Sequence, residues 1–184
     1  MQDPVRLFIS VDVKVTDAMR DVLSELRSVK GVRAAGEGQI HITLCFLGDT
    51  DPRRVPGLID SRRRGLSDVH AFKLRIEGMG AFPNVRRPRV VWFGITEGSD
   101  ELAQLSAKVC GAVDSQKLHR DGKRFSPHVT AGRIQGQAEI KEIVDGNAET
   151  VFSEFTVDSV RLMKSVLGPN GAKHTVLERF PLGE

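Results

Sequence analysis

Two tetrapeptides in this chain pair an imidazole with a hydroxyl at the same spacing: His41-Ile-Thr-Leu44 and His128-Val-Thr-Ala131. With five histidines and eight threonines in the sequence, chance alone would produce His-x-Thr roughly 0.2 times. On a β-strand alternate side chains share a face, so each motif sets its imidazole and hydroxyl side by side, about 7 Å apart, while the intervening apolar residues anchor the opposite face in a core. Brought together across a cleft, two such strands would oppose two imidazoles flanked by two hydroxyls. That set suits cleavage of a phosphodiester. One histidine takes the proton of an attacking hydroxyl or water, the other gives a proton to the departing oxygen, and the threonines hold the non-bridging oxygens. The chemistry calls for no metal and no cofactor.

Taken singly, a histidine on a strand is more often a satisfied structural residue than a catalyst, and the weight of the reading rests on the pairing. A zinc site is the rival chemistry, but two imidazoles need a third ligand, and no nearby His, Asp or Glu is spaced to supply one. His70, His119 and His174 show no partner pattern and read as surface or strand-edge residues. Cys45 and Cys110 are too few for a disulfide framework. There is neither a Gly-x-Ser-x-Gly nucleophile turn nor a phosphate-cradling Gly-x-x-x-x-Gly-Lys loop.

The 184 residues, with 27 Lys and Arg against 24 Asp and Glu, describe an ordinary globular chain carrying a small positive excess, which permits an anionic partner without requiring one. Apolar runs such as Val90-Val-Trp-Phe93 are far shorter than the roughly 20 residues of a membrane span. The start of the chain does not read as a secretory signal. A cytoplasmic, monomeric protein with no membrane attachment is expected.

The elements that must carry the two motifs follow from periodicity. Residues 5–11 form an apolar, branched strand, and Thr16 caps a helix whose Ala18, Val22, Leu26 and Val29 share a face up to Gly31. Residues 38–48 alternate as a half-buried strand, with Ile42, Leu44 and Phe46 directed to the core and His41, Thr43 and Cys45 away from it. A short helix over 51–64 and a strand through Phe72, Leu74 and Ile76 follow, then a turn-rich stretch at 80–88. The second half repeats the order. Residues 89–95 read as a strand, Ser99 caps a helix bearing Leu102, Leu105, Val109 and Val113, residues 125–133 form the second histidine strand, and 139–144 a short helix. Strands at 151–157, 159–167 and 174–180 complete the chain. The expected architecture is α+β: one domain over 1–184 built of two pseudo-repeats, about 1–84 and 85–184.

These segments resemble the RNA 2',3'-cyclic phosphodiesterase (2'-5' RNA ligase) family of the two-histidine (2H) phosphoesterase superfamily. The similarity runs through His-Ile-Thr-Leu-Cys-Phe-Leu-Gly at 41–48, Gly80-Ala-Phe-Pro-Asn84, Arg87-Pro-Arg-Val-Val-Trp92, Phe125-Ser-Pro-His-Val-Thr130 with Arg133, and Leu162-Met-Lys-Ser165 with Pro169 and Gly171. The resemblance implies a bilobal fold in which two antiparallel sheets flank a central cleft, helices lie outside and the chain termini share one lobe. It implies hydrolysis of a terminal 2',3'-cyclic phosphate of RNA to a 2'-phosphate, and reversible joining of RNA ends through 2'-5' linkages. It makes His41 the proton donor to the leaving oxygen and His128 the proton acceptor, with Thr43, Thr130 and Arg133 on the phosphate, although the sequence by itself leaves the two histidine roles interchangeable. Strand parity turns Arg133 away from His128, and a bulge at Gly132 would restore its direction. His174 stands where the family's final strand often has tyrosine.

Other readings remain at this stage: an RNA-binding protein of the same fold without turnover, or a two-histidine enzyme for another small cyclic or 2'-5' linked nucleotide. For RNA contacts, Lys123 and Arg124 lead directly into the second motif and are better placed than the helical run Arg62-Arg-Arg64, which reads as solvated surface. Phe82 is the candidate for stacking on a base. By parity Phe46 and Phe72 belong to the core and are not base platforms.

Overall fold

A computed structural model describes residues 3–66, 68–118, 120, 122, 124–169 and 171–183, without the side chains at 62–64. His119, Lys123 and the side chains of the Arg62-Arg-Arg64 run therefore lie outside the described residues.

The branched residues at the start of the chain form strand β1 (Val5–Asp12), whose Leu7, Ile9 and Val11 are buried. Thr16 caps α1 (Asp17–Ser28) by accepting from the Met19 amide, and Met19, Val22, Leu23 and Leu26 bury the helix's apolar stripe. Next come β2 (Val32–Ala34), β3 (His41–Thr50), α2 (Val55–Gly65), β4 (Phe72–Phe82) and β5 (Val90–Glu97). The chain continues through α3 (Ser99–Ser115), β6 (Val129–Ile134), α4 (Lys141–Gly146), β7 (Val151–Val157), β8 (Ser159–Gly168) and β9 (Gly171–Pro181).

The strands form two antiparallel sheets, one in the order β3-β1-β8-β9 and the other β2-β6-β5-β4-β7. The fold is thus α+β and bilobal, and the first and last strands share a sheet. Each helix after a leading strand crosses to the opposite lobe. From the end of β1, α1 packs on β2 and β6, and from the end of β5, α3 packs on β3. The capping of α3 differs from expectation. Ser99 is its first residue, and the cap is Gly98 at φ 82°. There a side chain would meet the Lys73 carbonyl at 2.5 Å, so only glycine fits both the left-handed backbone and the space.

Two irregularities decide what faces the cleft between the sheets. Along β3, Cys45 pairs with Ile9 and Thr43 with Ser10, while Phe46 pairs with Phe8 and Gly48 with Leu7. Leu44 and Leu47 are therefore extra residues in the ladder, and each reverses the alternation. Phe46, expected in the core, emerges instead on the face of His41 and Thr43 and is 39% exposed. In β6, Gly132 pairs with Val91 and Thr130 with Trp92, which leaves Ala131 unpaired. The bulge is one residue earlier than expected, and it turns Arg133 to the cleft side.

Candidate active site

The two histidine strands belong to different sheets and touch across the cleft, β3 from the edge of one and β6 from beside the short β2 of the other. Between them runs a groove of about 590 Å³ whose lining includes His41, Thr43, His128, Thr130 and Arg133. The motifs, 87 positions apart in the chain, thus meet on one cavity. Arg6 and Arg33 also line it, and among the described residues no aspartate or glutamate does. Among the described residues no group of three or more His, Cys, Asp or Glu side chains is placed to hold a metal ion.

Each imidazole is held by its local backbone. His128 precedes β6 directly, and its Nδ1 lies 2.7 Å from the Ser126 carbonyl. A carbonyl only accepts, so Nδ1 carries the proton and Nε2 of the neutral ring keeps its lone pair. Phe82 packs edge-on against this ring, with centroids 5.2 Å apart. In the other lobe His41 Nε2 shares a 2.9 Å hydrogen bond with the Thr43 hydroxyl, which can donate to a neutral imidazole or accept from a protonated one. Phe8 lies against His41 with centroids at 4.8 Å.

Both rings resist protonation. Burial, then repulsion from His174, pushes His41 down to about 4, against the pull of a hydrogen bond to the Gln39 backbone; His128 repels it further. Burial also lowers His128, and the Arg133 guanidinium adds to the effect. An anion in the groove would reverse this balance, because its charge favours the protonated imidazole.

At its open end the groove is bridged by the β8–β9 hairpin. Arg33 donates to the Pro169 carbonyl at 3.1 Å, and Gln39 donates through Nε2 to the Ala172 carbonyl at 2.8 Å. This ties a hairpin of the first sheet to residues beside the second.

A sequence model of the 2'-5' RNA ligase superfamily matches residues 15–169. The chain belongs to this superfamily. Among its relatives, a protein of Archaeoglobus fulgidus named RNA 2',3'-cyclic phosphodiesterase is 37% identical over 96% of this chain and 99% of its own length. One of the same name from Aquifex aeolicus is 33% identical over 78% of each. The fold agrees with solved structures: TT0787 of Thermus thermophilus superposes with a TM-score of 0.83 at 28% identity over 97% of this chain and 99% of that one. Escherichia coli LigT complexed with 3'-AMP gives 0.75 at 21% identity over 98% and 99%.

Within this superfamily member the five residues picked from the sequence share one groove. Phe82, the candidate for stacking on a base, instead lies between His128 and Trp92. Of the two phenylalanines that line the groove, Phe8 is buried and Phe46, brought there by the bulges, is the exposed one. His174 is a second residue that sequence reasoning misses. It does sit on an edge strand, but its ring lines the groove and stands at 90° to that of His41, with centroids 5.4 Å apart. The departure from tyrosine in the final strand is the one signal that points to it.

Proposed function

We propose that the chain hydrolyses the terminal 2',3'-cyclic phosphate of RNA to a 2'-phosphate by a two-histidine acid-base mechanism that uses no metal. The single observation that carries this reading is the meeting of His41-Thr43 and His128-Thr130 in one groove lined by arginines and, among the described residues, by no carboxylate. His128 Nε2 takes a proton from water as the water oxygen bonds to phosphorus. His41 gives its proton to the 3'-oxygen as the P–O3' bond breaks, leaving a 3'-hydroxyl and a 2'-phosphate. Thr43, Thr130 and Arg133 hold the non-bridging oxygens, which gain charge in the transition state. The Nδ1–H bond to Ser126 leaves the Nε2 lone pair of His128 available to accept the proton. His41, whose pKa burial lowers, takes up its proton with the anionic substrate. A 5'-hydroxyl in the place of water would join two RNA ends through a 2'-5' linkage.

Phe46 offers its exposed ring to the base beside the reacting phosphate. Both histidines come from one chain, so a monomer suffices, and the buried Cys45, a thiol and not half of a disulfide, suits the reducing cytoplasm.

The test is RNA ending in a 2',3'-cyclic phosphate, incubated with the protein in EDTA. The expected product carries a 2'-phosphate. A 3'-phosphate, turnover only after metal is added, or no turnover would refute the reading. His41→Ala and His128→Ala each lower the rate by about 10²- to 10⁴-fold, as expected for the loss of a general acid or base.

A further inference from the structure

His174 makes its contacts in a way that a purely structural aromatic residue would not. Its ring packs edge-on to Phe8, with centroids 4.9 Å apart, and edge-on to His41. Phenylalanine would make the same two contacts. The imidazole instead brings an Nδ1 that is buried without a hydrogen-bond partner, an arrangement that costs stability and is retained in proteins where the group serves something else.

The orphan nitrogen also fixes how the ring can meet a ligand. A doubly protonated ring would bury an N–H with no acceptor, and burial accordingly lowers the pKa of His174. At neutral pH the ring is therefore neutral, charging and repelling His41 only on acidification, and its one proton finds use only on Nε2, the nitrogen not walled in. That N–H needs an acceptor. Among the described residues, the other charged and titratable side chains lining the groove are Arg6, Arg33, Arg133, His41 and His128, with no carboxylate. The remaining acceptors on the groove, the hydroxyls of Thr43, Thr130 and Ser165 and the Gln39 amide, are neutral, so an oxyanion arriving with the ligand is the strongest acceptor open to this N–H.

We infer that His174 is a third substrate-binding imidazole, whose Nε2–H donates to a non-bridging oxygen of the phosphate that reacts beside His41. This inference rests on the function proposed above and adds a residue to it. A neutral donor serves here where a cation would not, because one more positive charge beside His41 would oppose the proton that His41 has to deliver.

Three variants test it: His174→Phe, which keeps the ring contacts and removes both nitrogens; His174→Leu, which removes both nitrogens with an apolar side chain no larger than the imidazole; and His174→Gln, whose amide places an N–H near the position of Nε2. Inorganic phosphate affinity is measured by calorimetry, kinetics on cyclic-phosphate RNA ends, and thermal midpoints by scanning. His174→Phe is expected to weaken phosphate binding and raise KM by about 10- to 100-fold, the worth of one hydrogen bond to a charged oxygen. Its kcat should change less, and its thermal midpoint should equal or exceed that of the natural chain. His174→Gln should recover most of the affinity, and His174→Leu should bind phosphate as weakly as the Phe variant. Undiminished phosphate affinity in His174→Phe and His174→Leu overturns the inference, as does equal loss in the Gln variant. If the natural chain binds phosphate through His174 but turns over no cyclic end, the oxyanion contact stands and the proposed activity falls.

Discussion

The Ser106 hydroxyl of α3 donates a 2.7 Å hydrogen bond to the carbonyl of Leu44, the residue that bulges out of the His41 strand. Ser106 is 2% exposed, and the Cys110 thiol reaches the same carbonyl at 3.7 Å. The bulge that turns Phe46 into the groove is thus held from behind by a helix belonging, in sequence, to the other half of the chain. Ser106→Ala leaves the buried carbonyl with the weak thiol donor alone. Stability should fall by about 1–3 kcal/mol, read as a drop in the thermal midpoint of about 2–4 °C per kcal/mol for a chain of this size. An unchanged midpoint would show that the bulge needs no such support.

The histidine environments set a pH dependence. His41 is held at about 4 and His128 below its usual 6.5, and catalysis requires one protonated and the other neutral. The free-enzyme profile, kcat/KM, should therefore peak between the two values, on the acid side of 6.5, and decline through neutrality as both rings lose their protons. The kcat profile should lie at higher pH, because bound phosphate favours protonated His41. A kcat/KM maximum on the alkaline side of neutrality would contradict this assignment.

The same shift couples to folding. In the unfolded chain His41 takes up a proton as the pH falls through 6.5, whereas the folded chain resists until about 4. Its contribution to stability is complete above the unfolded value and is lost across that window on acidification. Thermal midpoints measured from neutral pH to pH 4 should fall, and fall less in His41→Gln, which has no titrating ring.

Gly80 lies where a methyl group would come within 2.3 Å of the Trp92 ring. Trp92 pairs with Thr130, and Phe82 bridges from Trp92 to His128. Gly80→Ala should therefore cost about 1–3 kcal/mol of overpacking and shift the second motif with it. As the single tryptophan, Trp92 reports its own displacement by fluorescence, and urea unfolding measures the loss. Unchanged emission and activity would mean that the sheet absorbs the added methyl group elsewhere.

Much of this molecule is legible in its sequence, because the decisive signals are local. His41, Thr43, His128 and Thr130 declare themselves by type and spacing, and the Thr16 cap and apolar stripe of α1 by periodicity. Strand parity fails where the backbone inserts a residue. Nothing in Leu44 or Leu47 marks them as bulges; the Leu44 carbonyl is held by Ser106, distant in the chain, and so parity assigns Phe46 to the wrong face. Arg133 reaches the cleft by the same device, flagged by Gly132 but executed at Ala131. His174 stays hidden because a lone histidine on an edge strand carries no pattern. Its meaning comes from a neighbour 133 positions away.

The exchange of helices between the lobes bears on how the groove keeps its width. Because α1 and α3 each cover the sheet they did not come from, neither sheet has an apolar face it can bury by itself, and prising the lobes apart would uncover both cores at once. The acid and base sit on separate sheets, yet the spacing between them carries the stiffness of the whole molecule. A chain cut near its midpoint would yield two fragments, each lacking the other's helix, that recover activity only on reassociation.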